Sequence, residues 1–180
     1  MTVARTTAIW LVTLLTNAAL SQTPARGSQP PKLLGQTLDE RNIVLPDEAA
    51  GKVTMLVVSL SRKAGERSGS WREHFAADFA SDPQVTYYVA AMLQGAPSFV
   101  RGMIRSGIRK GTPQAAQSHV LTSGTDQDGW KQYLQMKDDS LPAVLLLDQS
   151  GHVHWSYDGV FDPGHYGELK AATIATRDRR

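Results

Sequence analysis

The stretch SLPAVLLLDQSGHVHW, Ser140–Trp155, decides the fold of this 180-residue chain. Its Leu141-Pro142 pair leads into a run of apolar residues, which predicts a buried strand. Gly151 follows in a turn, and Val153 begins a second strand-forming stretch. Asp162-Pro163 then marks a helix start, because aspartate is a preferred cap and proline a preferred first helical residue. This part of the sequence therefore predicts a β-hairpin followed by a helix.

The sequence before this hairpin alternates predicted strands with predicted helices. A small hairpin is predicted over Thr37–Leu45, and two continuous apolar runs, Lys52–Leu60 and Val85–Leu93, predict buried parallel strands on either side of a helix. Ser70 and Glu73 have the spacing of a capping box at the start of that helix. The buried face of the same helix is formed by Trp71, Phe75 and Phe79, which repeat at four-residue spacing. The remaining predicted elements are a helix over Gly95–Gly111, a strand over Gln117–Thr122 and a helix over Asp128–Met136.

The composition is that of an ordinary globular protein, with 41% hydrophobic and 20% charged residues. Lys and Arg together number 19 against 17 Asp and Glu, so bulk charge gives no support for nucleic-acid binding. The sequence contains no cysteine, which excludes disulfides, iron–sulfur clusters and catalysis by a thiolate.

Residues 1–21 have the pattern of a secretory signal peptide. Arg5 precedes an apolar run that ends at Leu20, and Ala19 and Ser21 supply the small residues of a cleavage site. A mitochondrial presequence is the alternative, because no acidic residue occurs before Asp39. We therefore expect an exported protein, periplasmic or secreted, with the matrix face of the mitochondrial inner membrane as the alternative location. Residues 22–32 are rich in Pro, Gly and Ser and predict a flexible linker before a domain over residues 33–176.

Three short motifs resemble thioredoxin-like and peroxiredoxin-like domains. They are Leu34–Leu38, Gly51–Thr54 at the start of a buried strand, and Ser70-Trp71 at the start of a helix. The resemblance implies an α/β fold, a thioredoxin-like three-layer sandwich in which helices flank a mixed central sheet. In that fold an X-Pro bond opposite the active site is cis, so the resemblance predicts a cis bond at Leu141-Pro142.

A more specific resemblance covers residues 33–176. Arg105–Pro113, Pro142–Asp148 and Val153–Trp155, with Gly159 beyond them, resemble the thioredoxin-like ATP synthase assembly factor family, the one numbered ten in the mitochondrial series. Members lack a redox cysteine pair and act as chaperones for a hydrophobic membrane subunit of the proton channel. The resemblance implies a non-catalytic assembly factor without a cofactor, whose partner is a protein client such as a hydrophobic membrane subunit.

Thioredoxin-like enzymes place their nucleophile in the turn between the first buried strand and the next helix. Here we name residues 61–71 the former active-site turn. A serine there is the alternative nucleophile, but serine needs a positioned base and no histidine adjoins it in sequence. Cations and hydroxyls at a helix start could instead bind an anion. The candidate residues are Ser61, Arg62, Lys63, Ser70 and Trp71, with Pro142 expected opposite them.

Two histidines offer a possible metal site. His152 and His154 alternate along a predicted strand and would share one face, opposite Val153 and Trp155. A zinc or copper site usually needs three or four ligands, and His119 is the only plausible third. The alternative, which we favour, is that both histidines face solvent and bind no metal.

The helix predicted over Gly95–Gly111 carries three arginines at four-residue spacing. Arg101, Arg105 and Arg109 form one stripe, followed by Lys110, and an apolar stripe of Val100, Ile104 and Ile108 lies beside it. A basic amphipathic helix suits anionic lipid headgroups or the acidic surface of a protein partner. The sequence therefore predicts an exposed partner-binding surface at these four basic residues. An ordinary surface helix packed on the sheet is the alternative.

Overall fold

A computed structural model describes residues 24–124 and 126–179, so the predicted signal peptide lies outside the described residues. The strands are β1 Leu33–Thr37, β2 Asn42–Leu45, β3 Val53–Ser59, β4 Val85–Met92, β5 Val120–Ser123, β6 Ala143–Leu147 and β7 Val153–Asp158. The α-helices are α1 Arg62–Arg67, α2 Gly69–Phe79, α3 Ser98–Lys110, α4 Gln127–Leu134 and α5 Pro163–Arg177.

All seven described strands form one mixed sheet in the order β2-β1-β5-β4-β3-β6-β7. β3 is parallel to β4 and β4 to β5, whereas the β1–β2, β1–β5, β3–β6 and β6–β7 pairs are antiparallel. The β3-α2-β4 unit is the parallel crossover that the two apolar runs predicted. The hairpin of β6 and β7 and the helix α5 are likewise confirmed.

Helices cover both faces of the sheet and so make three layers. β3 is buried along its whole length, with Leu56 and Val58 in the core beneath α4 and with Met55 and Val57 in the core beneath α2 and α5. Trp130 of α4 anchors the first core. The second core contains the predicted buried face of α2, Trp71, Phe75 and Phe79, together with Leu169 of α5. The predicted α/β fold, with a mixed sheet between helices, is confirmed.

The capping box predicted at Ser70 and Glu73 is wrong. The polar stretch before Trp71 contains a separate short helix, α1, and α2 then begins at Gly69, so that Ser70 already lies within α2. Glu73 forms an ion pair with its neighbour Arg72 instead of reaching back to Ser70. The capping serine of this region is Ser61, whose Oγ accepts the Ala64 N–H at 3.2 Å.

The bond between Leu141 and Pro142 is trans, which corrects the predicted cis bond. Among the described residues the cis bond is the one between Leu45 and Pro46. The trans form of an X-Pro bond is favoured by about 0.5–1 kcal/mol. With the trans bond between Leu141 and Pro142, the Pro142 carbonyl accepts the Gly159 N–H at 3.0 Å. The pairing of β6 with β7 therefore does not require the cis form.

The described part of the predicted linker, residues 24–32, lies against the domain. Gly27 N–H donates to the Val153 carbonyl at 2.7 Å, and Val153 N–H donates to the Ser28 carbonyl at 2.8 Å. The Ser28 hydroxyl lies 2.7 Å from the Tyr133 hydroxyl of α4. The Pro and Gly content of residues 22–32 predicted a flexible linker. In the described part of this linker, two backbone hydrogen bonds to β7 fix the path of the chain.

Candidate functional site

The former active-site turn is hydrogen-bonded to the loop that precedes β6. The Ser61 hydroxyl donates to the Asp139 carbonyl at 2.7 Å while it caps α1. Arg67 donates through Nη1 to both the carbonyl and the hydroxyl of Ser140, at 3.1 and 3.2 Å. The polar groups of this turn therefore hold two loops together at the end of the sheet where thioredoxin-like enzymes place their nucleophile.

No described side chain is hydrogen-bonded as a base to the hydroxyl of either candidate serine, Ser61 or Ser70. Within the described residues, the hydrogen-bond partners of the Ser61 hydroxyl are backbone groups, which cannot act as the general base that a serine nucleophile needs. Ser70 lies exposed on α2, where its carbonyl, not its hydroxyl, is 2.9 Å from His74 Nδ1. Of the cations in the turn, Arg62 is paired with Glu66 at 2.9 Å. Lys63 is exposed beside it.

Trp71 and Pro142, two of the six candidate residues of this end, are buried. The Trp71 ring lies among the aromatic side chains of Trp155, Tyr157, Phe161 and Tyr166, with ring centroids 5.4 to 6.5 Å away. Its indole N–H donates to the Gly159 carbonyl at 3.1 Å. Trp71 therefore joins α2 to the chain after β7 and supports this end of the domain from inside.

The three histidines of the possible metal site do not converge in the structure. His119 stacks on Tyr87 of β4, whereas His154 lies in β7, and the strands β3 and β6 separate β4 from β7. His154 Nε2 is 2.7 Å from an Arg26 guanidinium nitrogen. Burial lowers the pKa of both His119 and His154. Among the described residues no three His, Cys, Asp or Glu side chains converge as a metal site would require.

The predicted alternation of His152 and His154 is also wrong. A β-bulge between Leu146 and Leu147 shifts the register of β7, so that Val153 enters the core beneath α4 and Trp155 enters the opposite core. His152 precedes the strand, where its Nδ1 is 3.9 Å from an Asp148 carboxylate oxygen.

Two of the three arginines in the α3 stripe, Arg101 and Arg105, turn towards the domain and not into solvent. Arg105 donates to the Gln36 side chain and to the Thr37 carbonyl of β1. Arg101 donates to the carbonyls of Ala96 and Gln94, at 2.9 and 3.2 Å. Both arginines are half-buried, which corrects the expectation of an exposed stripe. Arg109 is more exposed, and its guanidinium pairs with Glu40 at 2.9 Å.

The replacement of Arg105 by Gln is expected to lower the free energy of unfolding by about 1–2 kcal/mol, because it removes two hydrogen bonds from a charged donor to β1. Lys110→Gln removes the same charge from an exposed position of the same helix, and it should change the stability by less than about 0.5 kcal/mol. Urea denaturation of both variants checks this difference. Equal effects would show that the Arg105 contacts contribute nothing to stability.

The face of α3 that points to solvent carries two large apolar side chains. Phe99 is 83% exposed and Met103 is 76% exposed. Val100, Ile104 and Ile108 are partly buried on the inner side, as the apolar stripe predicted. The sequence analysis missed Phe99 and Met103, although their four-residue spacing places them on one side of the helix. We name these two residues the outer face of α3.

Among the described residues no helix has the length and apolar character needed to cross a membrane.

The fold is thioredoxin-like, as comparison with solved structures shows. A putative thiol:disulfide interchange protein DsbE from Chlorobium tepidum matches with a TM-score of 0.60 and 16% identity, over 85% of this chain and 98% of that chain. BsSco, a member of the Sco family of cytochrome c oxidase assembly proteins, matches with a TM-score of 0.60 and 10% identity, over 86% and 96% of the two chains. A putative thioredoxin from Neisseria meningitidis matches with a TM-score of 0.55 and 17% identity, over 85% and 95%.

Sequence comparisons add no closer relative, since no family model matches the chain and no curated protein matches it. The structural likeness therefore establishes the fold alone. The chain shares this fold with proteins named as thiol–disulfide oxidoreductases, yet it contains no cysteine.

Proposed function

We propose that this protein is a non-catalytic, exported binding protein that assists the assembly of a membrane or envelope protein complex. The observation that carries the proposal is the outer face of α3, Phe99 and Met103, which are exposed on a helix otherwise held to the domain. Exposed large apolar side chains that lie together are a common feature of protein-binding surfaces. The client that best suits them is a protein with an apolar surface of its own.

The chemistry of the former active-site turn supports a role in binding. A redox reaction of the thioredoxin type requires a thiolate, and the sequence has no cysteine. Ser61 and Arg67, which could have taken part in other chemistry, bind the loop before β6. These contacts give Ser61 and Arg67 a structural role in joining two loops.

One of the neighbouring structures supports an assembly role. BsSco is named as a member of a family of cytochrome c oxidase assembly proteins, and it matches this chain over nearly its whole length. The resemblance of Arg105–Pro113 and Pro142–Asp148 to the ATP synthase assembly factors suggests ATP synthase as the complex that this protein serves. The signal-peptide pattern of residues 1–21 supports an exported location.

The test is recovery of a client from detergent-solubilised membranes of the source cell. The parent protein is expected to retain a membrane protein that Phe99→Ser/Met103→Ser loses, because the variant removes the apolar contact. The matched control is Val160→Ser/Ile174→Ser, which changes two other exposed apolar residues, 46% and 38% exposed, outside α3. The same client in all three samples, or none in the parent sample, would contradict the proposal.

A further inference from the structure

A groove lies beside α3 on the outer part of the sheet. It has a volume of about 390 Å³, and its floor is formed by Leu34 and Gln36 of β1, Val44 of β2, and Thr122 and Gly124 at the end of β5. Leu34 pairs with Val44 across the two strands and is 53% exposed. β2 is the edge strand of the described sheet, so no described strand borders the groove beyond β2. An extended chain can therefore enter it from that side.

The arginines of α3 contact residues that line this groove. Arg105 donates to the Gln36 side chain. A guanidinium nitrogen of Arg101 lies so close to Gly124 that a Cβ at this glycine would be 2.8 Å from it. The missing side chain at Gly124 thus leaves the space that the Arg101 head group occupies. Two guanidinium groups therefore lie directly behind residues that line the groove, Gln36 and Gly124.

Neither of these two arginines has an acidic hydrogen-bond partner among the described residues. Every hydrogen-bond acceptor that Arg101 and Arg105 have among the described residues is neutral, either a backbone carbonyl or the Gln36 amide. Arg109, one turn further on, is by contrast paired with Glu40. A half-buried guanidinium favours a carboxylate or phosphate partner, because its planar donors fit two acceptor oxygens. Two such groups, without an acidic partner in the described part of the chain, favour an anionic ligand beside the groove.

We infer that the groove binds an extended acidic segment of a protein partner, with aliphatic side chains against Leu34 and Val44 and carboxylates towards Arg101 and Arg105. The inference rests on the proposed binding function and adds a second contact site to the outer face of α3. A lipid bilayer fits less well, because it presents its phosphates in a plane, whereas these guanidinium groups are half-buried next to the groove. A free phosphate would use the arginines and leave the aliphatic floor empty.

The experiment measures binding of a short synthetic peptide, in which glutamates alternate with valines, to the full chain by fluorescence anisotropy and by amide shifts in NMR spectra. The expected shifts lie at the groove floor, at Leu34, Val44 and Thr122. Replacement of the glutamates by glutamines should weaken binding at least about tenfold, because it removes charge-assisted hydrogen bonds. Added salt should weaken binding of the glutamate peptide as well.

Two variants distinguish the contribution of the arginines to peptide binding from that of the aliphatic groove residues. Arg101→Gln is expected to weaken binding about tenfold, and its matched control, Lys110→Gln, removes a charge from the exposed side of α3 and should leave binding unchanged. Leu34→Ser acts at an exposed residue, so it should weaken binding without unfolding the chain. If Arg101→Gln loosens α3, Leu34→Ser still tests the groove.

Several outcomes would overturn the inference. These are equal binding of the glutamine peptide, shifts confined to residues outside the groove, and binding of phosphatidylglycerol vesicles or of inorganic phosphate without binding of the peptide. A client captured through Phe99 and Met103, together with no peptide binding, would contradict the groove and leave the proposed function intact. Peptide binding at the groove without a captured client would support the groove and contradict the proposed function.

Discussion

Replacement of Trp71 by Ala is expected to lower the free energy of unfolding by about 3–5 kcal/mol, the range for removal of a buried tryptophan side chain. The ring is fully buried among four aromatic side chains, and its removal would leave a cavity at the end of the sheet. Urea denaturation followed by circular dichroism measures the loss. Because much of the stability of a small domain would disappear, the variant is expected to be partly unfolded near 37 °C.

A milder pair of substitutions isolates the hydrogen bond of this tryptophan. Trp71 Nε1 donates to the Gly159 carbonyl, whereas the Nε1 of the equally buried Trp130 has no partner among the described residues. Trp71→Phe should therefore cost about 1 kcal/mol more than Trp130→Phe, since only the first leaves an acceptor unpaired. If Trp130→Phe is as costly as Trp71→Phe, the bond between Trp71 and Gly159 does not stabilise the fold.

The second large effect concerns Asp158 and pH. Asp158 is the last residue of β7, opposite Ala143, and its Oδ1 is buried without a hydrogen-bond partner among the described residues. Burial raises the pKa of its carboxyl group to about 6, from an ordinary value of 3.8. Between these two values the folded chain holds a proton that the unfolded chain has released. The contribution of Asp158 to stability is therefore complete below pH 3.8 and is lost as the pH rises through about 6.

Asp158→Asn is expected to abolish this part of the pH dependence. The shift corresponds to at most about 3 kcal/mol. Since the residue is partly exposed, we expect the variant to gain about 1–2 kcal/mol over the parent protein at pH 7 and nothing near pH 4. His119 and His154 act in the opposite direction, because a histidine with a lowered pKa destabilises the fold as the pH falls. The difference between variant and parent isolates Asp158, and a constant difference from pH 4 to pH 7 would contradict the prediction.

The buried strands could be predicted because a continuous run of apolar residues in the sequence indicates each of them. β3, β4 and β6 are short runs of apolar residues, and in each case the run and the strand agree to within a residue or two. The face of α2 was equally predictable, since Trp71, Phe75 and Phe79 repeat at helical spacing and all are buried. The start of α5 followed from Asp162-Pro163, whose aspartate caps the helix as expected.

The elements that could not be predicted depend on contacts distant in sequence. α1 has only six residues and no apolar periodicity, so its polar sequence looks like a loop until Ser61 and Arg67 meet Asp139 and Ser140. The bulge in β7 depends on its register with β6. Local patterns show that a residue prefers one side of an element, but they do not show which neighbour will cover that side.

The arginines of α3 illustrate the same limit at the candidate site. Their spacing correctly placed them on one stripe of a helix, and the usual preference of charged residues for solvent suggested an exposed surface. Arg105 instead satisfies a carbonyl of β1 with its guanidinium group. Phe99 and Met103 occupy exposed positions of the same helix, although large apolar side chains usually favour burial.

Each edge of the sheet limits the addition of another strand in a different way. An unpaired strand edge is a template on which further strands can add, and such addition is a common route to aggregation. Residues Gly27 and Ser28 occupy hydrogen-bonding groups of Val153 at the β7 edge, while β2 at the other edge has only four residues and is followed at once by Pro46. Proline cannot donate to a neighbouring strand, so β2 offers only a short template. The segment that precedes β1 thus closes the Val153 end of the β7 edge to a further strand.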